Sequence, residues 1–403
     1  MCRCRIAFQR QMPYVGHMVY LARRPDRFIL SGQYFIHFAV MGIVLPYFNL
    51  YFYHIGLTGF QIGAVSALRS AVLVLFSMIW SALADRFLAR KPIYILCLFA
   101  STIIWTFYFY TSGFWGIFII TLFYGIFYSP IISFLEAFTM DLLGEEKKNY
   151  GRIRAWGSVS FIAVVVLLGK AIDHFSVDII LPLVFAGSLV QTGMSLQIPK
   201  TGFSFERPAL HQLKRLFTRP VIWFLVCSFL MLMSHGAYYG FFSIHLEHMG
   251  YSKTFIGATW ALASASEILV MINSKAIFSK CSIERVLTVS FFIAALRWAS
   301  LIVARSPYLI LVSQISHALT YGAFHMGSIL YIDSLAPQDS KTVGQAANNA
   351  VTYGLGLMTG FLISGSLYES AGSSGLFAAS GLIALLGGAL FSTHKREKNG
   401  FRS

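Results

Sequence analysis

Apolar segments about 20 residues long recur along the whole chain, and most charged residues fall between them. A helix of about 20 residues rises about 30 Å, which matches the hydrocarbon thickness of a lipid bilayer. Hydrophobic residues make up 57% of the sequence and charged residues 12%, which is roughly half the charged share of an average soluble domain. These features predict an all-α polytopic membrane protein.

The apolar segments predict twelve transmembrane helices in two pseudo-symmetric halves of six. Their expected ranges are 30–53, 60–84, 92–111, 114–140, 152–172, 177–197, 220–246, 254–278, 285–304, 307–334, 341–366 and 374–393. The corresponding division of the chain is a basic cytoplasmic tail at 1–29, an N-terminal bundle at 30–197, a cytoplasmic linker at 198–219, a C-terminal bundle at 220–393 and a cytoplasmic tail at 394–403.

Two short sequences recur in both predicted halves. Segment 37–42 is similar to 235–240 with an offset of 198 residues, and segment 56–63 is similar to 250–257 with an offset of 194 residues. Transporters built from two parallel six-helix repeats hold their substrate near the bilayer midplane, between the repeats. The repeats therefore favour a central cavity between the two halves.

The net charge of +15 follows the predicted topology. Of the 31 Lys and Arg residues, 26 lie in or next to segments on one side of the predicted helices, whereas Lys170, Lys253 and Arg305 lie on the other side. Cytoplasmic loops carry such an excess of basic residues. We therefore expect both termini in the cytoplasm. The topology explains the positive net charge, so the expected partner is the lipid bilayer and no nucleic-acid partner is expected.

The five cysteines do not pair within the predicted outer loops, so no disulfide is expected. Cys2 and Cys4 lack the companion ligands of a zinc site, and no metal or cofactor is expected. The first 29 residues lack the continuous apolar core of a signal peptide. They are expected to form a solvated tail, or to precede a later start such as Met18.

Five charged residues stand out within the predicted membrane-spanning segments: Arg69, Glu136, Arg154, Glu267 and Arg297. Each charge at the centre of a transmembrane helix costs about 2.5–3.5 kcal/mol, so these side chains should face one another or a wet cavity. Glu136 and Arg154 flank a short loop at similar depth, roughly 6 to 8 Å in from it, and are expected to meet in a substrate site. The alternatives are interfacial snorkelling for Arg154 and a packing role for Arg69.

His317, Tyr321 and His325 recur at intervals of four residues, which places them on one face of a predicted helix. An imidazole changes charge near pH 6.5 and therefore suits a proton relay. A lone histidine in a helix is more often a hydrogen-bonded core residue. His37 and His235 are accordingly the weaker candidates for a functional site.

The connection between the second and third predicted helices is short and charged, with the sequence Leu-Ala-Asp-Arg-Phe-Leu-Ala-Arg-Lys-Pro at 83–92. This segment resembles the signature of the major facilitator superfamily, although Ser81 stands where a leading glycine is expected. The resemblance implies the fold of that superfamily. It also implies a gating role for the loop residues Asp85, Arg86 and Arg90.

Further residues resemble lactose permease and its relatives. Glu136 and Arg154 match a glutamate and an arginine that contact substrate in that family, and Phe161 stands at the position of a tryptophan that stacks on the sugar. Arg297 and, twenty residues later, His317 continue the resemblance in the second half. A departure is Thr320, which replaces the glutamate that the family has three residues after this histidine.

The sequence around Glu267 and Tyr353 is similar to a phenylpropionate-permease-like branch of proton-linked importers in the bacterial plasma (inner) membrane. The resemblance covers about residues 30–393. It implies that the transported proton resides on Glu267 or on the set of His317, Tyr321 and His325, next to Arg297.

The leading hypothesis is a monomeric permease that imports a small organic solute with a proton by alternating access. Aromatic or organic acids, sugars and nucleosides are all candidate substrates. An uncoupled facilitator and a proton-driven exporter are alternatives, the first because Thr320 replaces the expected acid. A non-transporting receptor or a membrane-embedded enzyme is a distant alternative, since the sequence has no phosphate-binding glycine loop, no zinc-ligand spacing and no loop long enough to form a domain.

Overall fold

The computed structural model describes residues 24–199 and 215–400, and this part of the chain is helical almost throughout, with no strand. Its sixteen α-helices are α1 Arg24–His54, α2 Gly59–Arg86, α3 Arg90–Trp105, α4 Phe114–Tyr128, α5 Ile131–Leu143, α6 Tyr150–His174, α7 Ile180–Ser195, α8 Arg219–Ser234, α9 Gly236–His248, α10 Lys253–Ile272, α11 Ser274–Lys280, α12 Ile283–Val303, α13 Pro307–Ile315, α14 Phe324–Leu335, α15 Lys341–Asn349 and α16 Leu357–Gly400. Most of the predicted tail at 1–29, most of the linker at 198–219 and residues 401–403 lie outside the described residues.

The prediction of an all-α polytopic membrane protein is confirmed. Ten helical segments of the described chain are long and apolar enough to cross a membrane. Two predicted helices, 341–366 and 374–393, belong to one such segment, Lys341–Thr393, in which Gly372 adopts a φ of 59°. The predicted helix 307–334 is interrupted between α13 and α14, where residues Ala318–Ala323 form a π-helical segment. The number of twelve transmembrane helices stays a prediction.

Large apolar side chains cover the outside of the helices. Phe99, Trp115, Leu167 and Leu296 are all exposed and lie on segments that are long enough to span a bilayer. A water-soluble monomer rarely exposes so extensive an apolar surface. These side chains therefore face lipid.

The two halves of the structure, 24–199 and 215–400, each have their own packing and also meet each other. Helix α1 packs against α6 and α7, whereas α16 packs against α8, α9 and α12. The most extensive contacts between the halves are those of α6 with α10, α2 with α16, and α1 with α9. These pairs surround the space between the halves.

The similar segments 56–63 and 250–257 adopt the same local structure. Gly56 and Gly250 have φ angles of 89° and 83°, a left-handed conformation that glycine adopts without strain. Two residues later, Thr58 and Ser252 cap α2 and α10, because each side chain accepts a hydrogen bond from the third N–H of its helix. The repeat in the sequence is thus a repeated turn, cap and helix.

Glycines allow α6 to cross α10 and α2 to cross α16 at very short range. A Cβ atom on Gly257 would lie 2.1 Å from the carbonyl oxygen of Val165, and one on Gly63 would lie 2.5 Å from that of Phe361. Such distances leave no room for a methyl group. The halves therefore touch backbone to backbone at both crossings.

The charged loop between α2 and α3 is tied to the end of α5. The Nη1 atom of Arg90 donates to Oδ2 of Asp141 at 2.5 Å, and its Nη2 atom lies 3.7 Å from Oδ1 of Asp85. Arg86 instead lies beside the ring of Phe87. All of these contacts lie within the first half, and the gating role of Asp85, Arg86 and Arg90 stays a prediction.

Candidate functional site

A cavity of about 570 Å³ lies between the two halves. Its lining is mainly apolar and aromatic, with a few charged side chains. From the first half it is lined by Phe38, Met41, Val44, Leu45, Arg69, Ser70, Leu73, Tyr124, Gly125, Tyr128, Arg154, Ser158 and Phe161. From the second half it is lined by Tyr238, Tyr239, Trp260, Ala263, Ser264, Glu267, Ile268, Met271, His317, Tyr321, His325, Tyr353, Leu357 and Phe361.

Arg297 lies behind the wall of the second half and is 2% exposed. Its guanidinium donates to the carbonyl oxygen of Ser313 at 2.8 Å, to Oε1 of Gln314 at 3.1 Å and to Nδ1 of His317 at 2.9 Å. The guanidinium carbon also lies 4.2 Å from the centre of the Tyr238 ring. The rigid fork of an arginine satisfies this combination of acceptors and aromatic face, whereas a lysine ammonium does not.

His317 connects Arg297 to the carboxylate of Glu267. Its Nε2 atom lies 2.8 Å from Oε1 of Glu267, which comes from the neighbouring helix α10. A guanidinium has no acceptor, so Nδ1 of His317 must accept and Nε2 must carry the hydrogen that is donated to Glu267. The structure therefore fixes one tautomer of His317 and orders the three groups as cation, imidazole and carboxylate.

Thr320 lies behind this triad and is fully buried. Its hydroxyl is 3.5 Å from Nδ1 of His317. The hydroxyl of a threonine does not supply the acid that the resemblance implies at this position. The carboxylate that does contact His317 belongs to Glu267, on a different helix.

Two short π-helical segments, Ala318–Ala323 and Ala350–Gly356, lie on the cavity wall. Wider turns of this kind occur frequently at functional sites. Tyr321 stacks on His317 with ring centres 5.3 Å apart, and His325 follows 6.3 Å from Tyr321. Nδ1 of His325 lies 2.5 Å from the hydroxyl of Tyr353. The structure thus brings the three predicted residues of this helix together on the cavity and adds Tyr353.

The wall of the first half holds Arg69, Arg154 and Phe161. The guanidinium carbon of Arg154 lies 3.9 Å from the centre of the Phe38 ring, a cation–π contact. Among the side chains that the structure describes, neither arginine has a carboxylate within ion-pair distance. Arg69 interacts electrostatically with Tyr108, Tyr124 and Tyr128. The first-half wall of the cavity thus carries two cations that form no ion pair, and the carboxylate of the lining, Glu267, comes from the second half.

Glu136 does not meet Arg154 in this structure. It is exposed and does not belong to the cavity lining, and the hydroxyl of Tyr150 lies 3.4 Å from its Oε1 atom. Equal depth in the bundle predicts proximity only if both side chains point toward each other around their helix axes. Arg154 points toward Phe38 instead, and the expected pair is not formed.

The histidines His37 and His235 lie outside the cavity lining. His37 stacks on Tyr128 with ring centres 5.6 Å apart, and Nδ1 of His235 lies 2.8 Å from the carbonyl oxygen of Met231. His235 also packs against Trp298 at 5.0 Å. Both positions suit a packing role. The aromatic residues that do line the cavity, such as Tyr239 and Trp260, carry no distinctive signal in a sequence that is 16% aromatic.

The profile of the MFS_1 like family matches residues 28–379, which is most of the chain. The chain belongs to the MFS_1 like family. The predicted membership of the major facilitator superfamily is thereby confirmed. Members of this superfamily are transporters, so this MFS_1 like chain is a transporter and not an enzyme.

Curated relatives of the MFS_1 like chain match along most of their lengths. A probable 3-phenylpropionic acid transporter of Escherichia coli is 28% identical over 374 residues, which are 88% of this chain and 94% of that protein. The maltose permease of Geobacillus stearothermophilus is 24% identical over 341 residues, covering 83% of this chain and 86% of that protein.

Solved structures share the fold. The nucleoside transporter NupG superimposes with a TM-score of 0.81 at 17% identity, covering 91% of this chain and 98% of NupG. A bacterial homologue of the lysosomal transporter Spinster, in an inward-facing and unoccupied conformation, superimposes with a TM-score of 0.71 at 14% identity, covering 93% of this chain and 98% of that one. The MFS_1 like chain therefore has the major facilitator fold.

Proposed function

We propose that this protein is a monomeric symporter of the bacterial inner membrane that imports a small organic anion together with a proton. The observation that carries the proposal is the carboxylate of Glu267, which lines the cavity and is held 2.8 Å from His317, whose other nitrogen faces Arg297. A carboxylate at this place can bind a proton next to the substrate. Its two neighbours keep it in a fixed position.

Glu267 is the proposed proton site, and His317 and Arg297 position it. Nδ1 of His317 cannot take up a proton while the guanidinium of Arg297 donates to it at 2.9 Å. Nε2 of His317 already carries a hydrogen for the bond to Glu267. The imidazole therefore stays neutral, and the group of the triad that can gain a proton is the carboxylate.

The charges of the cavity support an anionic substrate. Among the described residues of the lining, Arg69 and Arg154 outnumber the one carboxylate, Glu267. An unpaired charge at low dielectric is costly, so a bound anion would offset part of this cost. Glu136, whose carboxylate would have favoured a neutral hydroxyl-rich solute beside Arg154, is exposed and outside the lining.

The cavity wall also supports an aromatic or otherwise apolar body for this anion. The rings of Phe38, Tyr128, Phe161, Tyr239 and Trp260 line it, together with aliphatic side chains. The relative named as a 3-phenylpropionic acid transporter handles a substrate of this kind. A neutral sugar, such as the maltose named for another relative, would leave the charges of Arg69 and Arg154 without a counter-ion.

Coupling follows because the substrate anion and the proton interact electrostatically with the same group of charged residues in the cavity. Protonation of Glu267 removes the one negative charge of the lining and leaves the two arginines unopposed, which raises the affinity for an anion. By reciprocity, a bound anion raises the affinity of Glu267 for a proton by the same factor. A monoanion and a proton would then cross together, with no net charge moved.

The structure corresponds in this proposal to the inward-facing state. Hydrogen bonds that join the two halves cluster near the ends of α1 and α6 and the starts of α2 and α10, for example between Asn49 and Gly240 and between Tyr53 and His248. By the distribution of Lys and Arg, this face lies outside the cell. The cavity extends toward the opposite face, where Arg154 lies four residues from the start of α6.

Uptake by purified protein in liposomes tests the proposal. With an inward proton gradient, we expect accumulation of an aromatic carboxylate such as 3-phenylpropionate, and no accumulation of maltose or a nucleoside. A membrane potential alone should have little effect. In Glu267→Gln, gradient-driven accumulation should be lost, whereas exchange of labelled for unlabelled substrate should persist because that process needs no change of protonation.

Glu284→Gln is the matched control, since Glu284 lies in the first turn of α12 and outside the cavity lining. Accumulation by Glu267→Gln at the parent level would exclude the proposed proton site. Equal uptake with and without a proton gradient would favour an uncoupled facilitator, and gradient-driven efflux would favour an exporter.

A further inference from the structure

In each half of the protein, a carboxylate accepts hydrogen bonds from the first N–H groups of a helix in the other half. Asp173, at the end of α6, accepts from the backbone N–H groups of Lys253 and Thr254 at 2.8 and 2.9 Å, and from the Thr254 hydroxyl at 2.6 Å. Glu369, on α16, accepts from the backbone N–H of Gly59 at 2.7 Å. These residues lie far from Glu267 and the cavity lining.

The two contacts are equivalent positions of the internal repeat. Gly59 and Lys253 are separated by 194 residues, the same offset as segments 56–63 and 250–257. Asp173 and Glu369 are separated by 196 residues. The repeat has thus placed an acid at corresponding positions in both halves, and each acid reaches across to the other half.

The acids satisfy groups that the helices cannot satisfy themselves. The first N–H groups of a helix have no partner within the helix, and its N-terminus carries partial positive charge. Ser252 and Thr58 serve the third N–H of α10 and α2. The first N–H of each helix, and the second of α10, is left to the carboxylate from the opposite half.

Each acid also lies one helical turn from a glycine crossing. Gly169 precedes Asp173 by four residues, and a Cβ atom on Gly169 would lie 2.3 Å from the carbonyl oxygen of Lys253. Gly365 precedes Glu369 by four residues, and a Cβ atom there would lie 2.7 Å from the carbonyl oxygen of Gly59. The carboxylates can reach the helix starts because the glycines let the backbones touch.

We propose that Asp173 and Glu369 form a duplicated latch, which holds the two halves together at the face where α6 ends and α2 and α10 begin. The latch stabilises the conformation of the transport cycle in which this face is closed. When the face opens, both acids leave the helix starts, and the charge-assisted hydrogen bonds are replaced by bonds to water. The latch is unequal, because Asp173 accepts three hydrogen bonds and Glu369 accepts one. Asp173 therefore contributes more to closure.

Distance measurements between spin labels test this latch without any substrate. Labels on Ser112→Cys and Ser306→Cys would report on opening, since both serines are exposed and lie at this face, one in each half. Cys2, Cys4 and Cys281 would be replaced by serine, and Cys97 and Cys227, which are buried, would be kept.

Asp173→Asn is expected to add a longer distance and to raise the ratio of open to closed protein about tenfold. Glu369→Gln should act in the same direction but less, and the double variant should exceed both. Asp178→Asn is the matched control, because Asp178 accepts from Ser176 in its own half. Distances in that variant should equal those of the parent.

Thr254→Val provides a graded variant should Asp173→Asn fold poorly, since it removes one of the three bonds to Asp173. Hydrogen exchange of the segments that begin α2 and α10 is a second measurement, and should be faster in the latch variants. Unchanged distances and unchanged exchange in both acid variants would overturn the latch. So would an equal change in Asp178→Asn. Neither result would bear on the proton site, which is tested by uptake.

Discussion

The Nη1 atom of Arg297 lies 2.9 Å from Nδ1 of His317, and this contact determines what His317 can do. An arginine can only donate, so His317 receives at one nitrogen and donates at the other. This geometry favours a positioning role for His317, which holds the carboxylate of Glu267 beside a buried cation. The proton relay expected for this histidine stays a prediction.

Arg297→Lys is expected to lower uptake by at least about tenfold and to lower the thermal stability of the protein. The single nitrogen of a lysine cannot occupy the positions of both Nε and Nη1, which donate to Ser313 and His317. An unsatisfied buried acceptor costs about 1–3 kcal/mol. Uptake in liposomes and thermal unfolding in detergent measure the two effects. Arg285→Lys is the control, since Arg285 is exposed in the first turn of the same helix α12 and should tolerate the change.

Arg69→Gln and Arg154→Gln are each expected to raise the KM for a carboxylate substrate by about 10- to 100-fold, because a desolvated hydrogen bond to a charged group is worth about 1.5–3 kcal/mol. An uncharged amide of the same substrate should bind the variants and the parent alike. Arg152→Gln is the matched control, because Arg152 is exposed two residues from Arg154. An equal loss in all three variants would argue against a role for charge in the cavity.

Glu136→Gln is expected to leave the KM within about twofold of the parent. Glu136 is exposed and lies outside the cavity lining, so its carboxylate is not expected to contact the substrate. Initial uptake rates over a range of substrate concentrations would measure the effect. A rise in KM as large as that of Arg154→Gln would show that Glu136 enters the site in another state of the cycle.

Gly257→Ala is expected to reduce uptake at least about fivefold and to lower thermal stability, because the new Cβ atom would lie 2.1 Å from the carbonyl oxygen of Val165. Gly193→Ala should have the opposite effect on stability. Nothing lies within 4 Å of a Cβ atom at Gly193, and alanine is favoured over glycine in a helix by about 1 kcal/mol. Equal stability changes in the two variants would contradict the close crossing of α6 and α10.

The sequence predicts the helices of this protein better than it predicts which side of each helix faces the cavity. Apolar length is sufficient to predict a helical membrane protein. The family resemblance named Arg297 and His317 together, and in the structure these two side chains touch. Equal depth did not reveal that Glu136 and Arg154 form no ion pair, since depth does not fix the direction of a side chain. The partner of His317 lies fifty residues earlier on another helix, and no local pattern connects them.

The π-helical segments and the contacts between distant helices could not be predicted from the sequence pattern either. A spacing of four residues predicts one helical face for His317, Tyr321 and His325, but not the π-helical segment that carries Tyr321. The similarity of segments 56–63 and 250–257 indicates a repeat, whereas the acids that complete it come from other helices. Such contacts depend on the tertiary arrangement.

The crossings of α6 with α10 and of α2 with α16 use main-chain atoms, which are the same in every amino acid. These crossings therefore depend on the absence of side chains and not on the residues that line the cavity. If solute binds in the cavity as proposed, the residues of the wall can change, and with them the solute, while the crossings stay the same. A protein engineer who wishes to alter specificity would vary the wall and leave these glycines unchanged.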